Sequence, residues 1–174
     1  SLGLVGSEMC IRDRLGDEAK AAEVNAIAIG STNNAWKEDS IALGRLANAD
    51  GAASLALGLN SHTRNENAIA LGNNANANDQ NSIAIGINSK TAQFSTVAIG
   101  HNVEALKYSS VVIGESAQSN NSRSVVIGYH ASATNPAKPG SAETDYNQTV
   151  AIGSYANAWG DQSTAIGNLS LIHI

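Results

Sequence analysis

The chain has 174 residues, of which 4% are aromatic and 14% charged, and it carries a net charge of −5. So few aromatics exclude a bulky globular core, and so few charges exclude a charged disordered tail. The ten basic residues are scattered, which argues against nucleic acid as a partner, because phosphate contact needs basic patches. No apolar run approaches the roughly 20 residues of a membrane-spanning helix, so no membrane contact is expected within this fragment.

At the front, Ser1 to Arg14 read SLGLVGSEMCIRDR, and at the back Leu169 to Ile174 read LSLIHI. Both stretches resemble translated sequencing-adapter read-through. Residues 1–14 and 169–174 are therefore expected to lie outside the fold, as an expression scar would. The register of the repeats described below supports this. Leu15-Gly16 is in phase, while Arg12, Asp13 and Arg14 stand where Ser, Ile and Ala belong. The chain is expected to be cut mid-repeat at Leu15, inside a longer protein. Cys10 and Met9 both fall in the first stretch, so residues 15–168 offer no disulfide or thiol chemistry.

Residues Asp17 to Val24 have strong helix propensity, but their phase assigns them to the first repeat. From Gly16 the chain keeps time by glycine. Gly30, Gly44, Gly58, Gly72, Gly86, Gly100, Gly114 and Gly128 follow at intervals of 14. A single gap of 25 leads to Gly153, and Gly167 resumes the 14. A fixed period over nearly the whole chain predicts a stack of identical units. Four residues precede each glycine in one pattern, as in Ser40-Ile41-Ala42-Leu43, Ser82-Ile83-Ala84-Ile85 and Thr149-Val150-Ala151-Ile152. Large aliphatics alternate with small residues there, which is the period of a β-strand. A second short alternation follows the glycine, its inward candidates small: Ala47 and Ala49, Ser61 and Thr63, Ala75 and Ala77. About four polar, turn-forming residues complete the unit.

One unit therefore reads as strand, glycine turn, strand, polar turn. Glycine permits the positive φ of a sharp corner, and the chain's 20 asparagines suit the other corner. Coils about 4.8 Å apart would give a rod roughly 50 Å long. Large aliphatics from one strand are expected to meet small residues from the other. The residue two before each glycine then points away from that core. It is Ala28, Ala42, Ala56, Ala70, Ala84, Ala98, Val112, Val126 and Ala151. A continuous small apolar ridge rarely faces water, so these nine residues are expected to pack against further copies of the chain. Exchanging the two faces would leave the same need for a partner.

The Ser/Asn-Ile/Val-Ala-Ile/Leu-Gly unit resembles the head repeat of trimeric autotransporter adhesins, the YadA-like head, over about Leu15 to Asn168. That resemblance implies an all-β, left-handed parallel β-roll, a homotrimer about one axis, carried on a stalk outside a Gram-negative cell. It implies a non-enzymatic adhesin without cofactor, binding host extracellular-matrix protein or other surfaces, with outer-membrane anchoring supplied by parts absent from the fragment.

Candidate contacts concentrate in the gap. An 11-residue insertion falls within 134–147 and includes Asn135, Pro136, Lys138 and Pro139. Proline removes a ladder donor, so this segment must leave the sheet. Such insertions map to one face of a solenoid, as a binding loop or as plain surface. Trp36 and Trp159 share one phase at the polar corner, as anchors or as corner packing. Tyr129, Tyr155 and Phe94 form no platform that their spacing reveals. His62, His101 and His130 occupy three different phases and give no metal spacing.

Two rival readings remain. Leu71-Gly72-Asn73-Asn74-Ala75 resembles the hexapeptide of left-handed β-helix acyltransferases, but the period of 14 is not theirs and no histidine sits in an inserted loop as a base. An ice-binding or purely structural solenoid is the other. The ladder Ser40, Ser54, Ser82, Thr96, Ser110, Ser124, Thr149 and Ser163 is mostly Ser, broken by Ala26 and Ala68. It reads as edge hydroxyls bonding corner backbone.

Overall fold

The computed structural model describes residues 13–134 and 148–173. Among them there is no helix. Each coil contributes a three-residue strand that ends just before its phase glycine, such as Ile83–Ile85. A shorter strand begins four residues past the glycine, such as Lys90–Thr91. The first strands stack into one eleven-stranded sheet and the second strands into another. Pairing is parallel and in strict 14-residue register: Ile83, Ala84 and Ile85 lie beside Val97, Ala98 and Ile99. Even Lys20–Ala21, inside the segment of high helix propensity, is a strand. Rung pairing along the whole stack outweighs a local preference of a few tenths of a kcal/mol per residue. The ladder also runs through Asp13–Leu15 and Leu171–His173.

Each corner turns through a left-handed residue. One lies two past the phase glycine and one five before the next, as with Asn74 and Asn81, both at φ 55. The phase glycine is itself at positive φ. At Gly72 (φ 135) an added Cβ would sit 2.5 Å from the carbonyl oxygen of Gly86, one coil on. The side-chain direction there runs along the rod, so each glycine must stack on another. Backbone bonds follow the rod axis through the corners too. The Gly86 amide donates to the Leu71 carbonyl at 2.8 Å, and the Asn88 amide to Asn73 at 2.9 Å. The backbone is thus satisfied by neighbouring coils rather than within one coil.

The core is a thin slab of small side chains between the two sheets. Here the sequence expectation is overturned. Ala28, Ala42, Ala56, Ala70, Ala84, Ala98, Val112, Val126 and Ala151 are 0% exposed within a single chain. They face Ala49, Thr63, Ala77, Thr91, Ala105, Ser119 and Ala133, which are equally buried. They cannot form a ridge toward another copy. The physical reason is the tightness of the coil: strands of two or three residues joined by sharp left-handed corners hold the sheets close, and no Ile or Leu is fully buried between them. The large aliphatics are turned outward instead.

Candidate functional site

The outward turn divides the rod into two unlike faces. The first sheet shows two parallel columns, Ile83 and Ile85 in one coil, Val97 and Ile99 in the next. From Ile27 to Ile166 these columns hold 20 positions, of which only Thr164 is not aliphatic. Each side chain is half-covered by its rung neighbours or more exposed, and no charge interrupts them. The second sheet presents one side chain per coil: Asn34, Asn48, His62, Asn76, Lys90, Glu104, Gln118, Ser132 and Asn157. This polar column is knitted lengthwise. Lys90 reaches Glu104 at 3.7 Å, and the Gln118 amide donates to Glu104 at 3.1 Å. His62 lies 2.9 Å from Asp50.

The two corners carry different chemistry. At the polar corner the hydroxyl column closes on backbone, as expected. Ser54 donates to the Gly51 carbonyl at 2.7 Å, Thr96 to Gln93 at 2.6 Å and Ser110 to Lys107 at 2.6 Å. These hydroxyls are buried, so they cannot present an array to an ice lattice. Trp36 is exposed and holds the Lys20 ammonium 5.9 Å from its ring centre. Trp159 is exposed at the same corner phase far along the rod, beside Thr134. The insertion residues Asn135, Pro136, Lys138 and Pro139 lie outside the described residues.

At the glycine corner the left-handed position runs Asn60, Asn74, Asn88, Asn102 over four coils, and their amides bond in a chain at 2.8, 3.1 and 2.9 Å. Two coils later the same position becomes aromatic. His130 and Tyr155 stack at 5.3 Å and 2°, and Tyr129 stands edge-on to both, 4.3 Å from His130 and 5.3 Å from Tyr155. The expectation of no aromatic grouping is therefore corrected. Tyr129 and Tyr155 are 26 positions apart, but Val125 pairs with Val150 across the ladder, and the Tyr155 amide donates to the Tyr129 carbonyl at 2.8 Å. Subtracting the insertion from the register would have placed them on adjacent rungs. The Tyr129 phenol is held above its ordinary pKa, chiefly by its hydrogen bond with Tyr155, with the Glu115 charge adding. Glu115 in turn lies 3.6 Å from His101. Phe94 also has a partner, stacking on Tyr108 at 5.3 Å, with the Arg123 guanidinium 5.5 Å from the Tyr108 ring. Among the described residues no three His, Cys, Asp or Glu side chains converge as a metal site.

The family of the YadA head domain repeat matches residues 15–33, 37–61, 65–89, 105–131 and 147–170. The chain belongs to the YadA head family. Among solved structures it is similar to the collagen-binding domain of the Yersinia adhesin YadA, at 23% identity and a TM-score of 0.52, covering 94% of this chain and 73% of that one. At that identity the likeness establishes a shared fold. No curated protein matches the chain by sequence. As a YadA-type head it offers long repetitive surfaces, and the unlike faces of the rod are its principal asymmetry.

Proposed function

We propose that the chain is the head module of a bacterial cell-surface adhesin. It acts as a homotrimer with its aliphatic face turned inward and its polar face and corners turned out toward ligand. One observation carries this reading: columns of Ile, Leu and Val run along one sheet face from Ile27 to Ile166 with only Thr164 as an exception, opposite a polar column from Asn34 to Asn157. Monomers rarely leave so long a stripe in water. Completing the burial of one such side chain is worth at most about 1.5–3 kcal/mol, and 19 of them per chain provide enough to hold copies together. Family membership supports the adhesin role, and the collagen-binding domain of similar fold supports extracellular-matrix protein as the ligand class. Three copies of a repetitive rod would bind through many weak contacts at once.

Light scattering of the purified chain is expected to give three times the chain mass, and immobilised type I collagen is expected to retain it. Ile83→Glu with Ile85→Glu places two charges on the inward face and is expected to abolish the trimer. Avidity then falls, and collagen retention drops by at least about tenfold. A soluble, folded monomer of the unaltered chain at micromolar concentration would refute the arrangement.

A further inference from the structure

The aromatic group at the glycine corner is not explained by burial. The position two past the phase glycine is left-handed, a conformation that Asn, Asp and His tolerate better than most side chains. Four coils use Asn there and gain a bonded amide ladder. The ladder ends at Asn102, and after Ser116 the same position holds His130 (φ 51) and Tyr155 (φ 57). The rings are not hidden: Tyr129 is 44% and Tyr155 46% exposed. In a chain with 4% aromatics, two tyrosines and a histidine share one solvent-facing spot. Exposed rings gathered at one point of a surface poor in aromatics mark a contact site.

The spot is preorganised. The two stacked rings and the perpendicular Tyr129 restrain one another. Rung bonds fix the backbone beneath them, His130 to Glu115 at 2.9 Å and Tyr155 to Tyr129 at 2.8 Å. One coil before Tyr129 stands the Glu115 carboxylate, with His101 at 3.6 Å. From His101 to Tyr155 the group spans three coil spacings, roughly 14 Å. The surface thus combines aromatic rings, phenol hydroxyls, two imidazoles and one acceptor-only carboxylate.

We propose that Tyr129, His130 and Tyr155, with the Glu115–His101 pair beside them, form a binding platform for a short neutral saccharide. The C–H face of a pyranose would lie on the rings, which pair an apolar body with a polar rim. Its hydroxyls would donate to Glu115 and exchange hydrogen bonds with the phenols and imidazoles. A protein ligand fits this particular spot less well. Specific protein interfaces bury about 1,200–2,000 Å² in total, and three side chains on a convex corner supply only a small part of that. The platform is complete within one chain, so it does not depend on the adhesin reading or on the trimer.

The test is saturation-transfer NMR on the whole chain with lactose, chitotriose and maltotriose as probes at millimolar concentration. Irradiating aromatic protons is expected to transfer saturation to the C–H protons of at least one probe. His130→Asn with Tyr155→Asn keeps the fold, because Asn serves this corner in four other coils. That variant is expected to lose the signal by about tenfold or more, with circular dichroism and collagen retention unchanged. Glu115→Gln is expected to weaken the signal severalfold. Absence of transfer with all three sugars overturns the proposal, as does an undiminished signal in the folded Asn variant. Loss of collagen retention with the sugar signal intact would assign the platform to protein and also overturn it.

Discussion

An alanine methyl at Gly86 would lie 2.1 Å from the carbonyl oxygen of Gly100, on a backbone held at φ 125. Two separate costs meet at that atom. One is backbone strain, about 1–3 kcal/mol for an L residue in such a region. The other is collision with the next coil, which cannot retreat without breaking its own rung bonds. Gly167 separates the two, since it keeps φ 121 but an added methyl meets nothing within 4 Å. Gly86→Ala is therefore expected to lower the melting temperature by roughly 5–10 °C, and Gly167→Ala by distinctly less, as followed by circular dichroism. Equal losses would show that strain alone dictates the glycine column. These glycines were legible in the sequence because their cause recurs identically in every coil. The buried Ser/Thr column was legible for the same reason, each hydroxyl bonding a carbonyl three residues back. The left-handed position two past glycine was less so. It holds Thr32, Leu46, Asn60, Ser116, His130 and Tyr155 alike, and no single residue type marks it.

Alternation along Ile83-Ala84-Ile85 declares a strand, and it leaves open which side is inside. The answer comes from the opposite strand. Ala77 and Thr91 are small, and the largest aliphatics fully buried between the sheets are valines such as Val112 and Val126, so small packs on small. Reading Ala47, Ala49, Ala75 and Ala77 as inward was sound. The error lay in giving them large partners, as a globular core would. The reversal has a measurable consequence at the level of one strand. Ala84→Leu adds three carbons to a fully buried column, where overpacking costs typically about 1–3 kcal/mol or more. Ile85→Leu changes the shape of an outer side chain by little. We expect Ala84→Leu to lower the thermal midpoint clearly, with Ile85→Leu close to the unaltered chain. The opposite order would restore the large aliphatics to the interior. The aromatic platform was hidden for a different reason: the period breaks between Gly128 and Gly153, so Tyr129 and Tyr155 look unrelated until the insertion is taken out of the count.

A stack of this kind is nearly one-dimensional, its stability a sum of coil and nearest-neighbour terms. Length is then adjustable in whole coils and in nothing smaller. Removing residues 73–86 joins Gly72 to Ile87 with every later residue in phase, and brings Asn60 beside Asn88 to continue the amide ladder. Removing 73–85 retains one residue more. That residue must be housed at the glycine corner, where bonds such as Gly86 to Leu71 at 2.8 Å and Asn88 to Asn73 at 2.9 Å leave no slack. The alternative is a one-residue slip that turns every downstream inner side chain outward. The chain's own 11-residue insertion enters at the other corner, after Thr134, which is consistent with surplus being accommodated there and not beside the glycines. The shorter variant is therefore expected to melt at a higher temperature than the longer one. Small-angle scattering should show it as a rod shortened by about 4.8 Å. Melting in the reverse order would mean that the glycine corner absorbs extra chain freely, and the 14-residue period would then lose its physical basis as a rule of stacking.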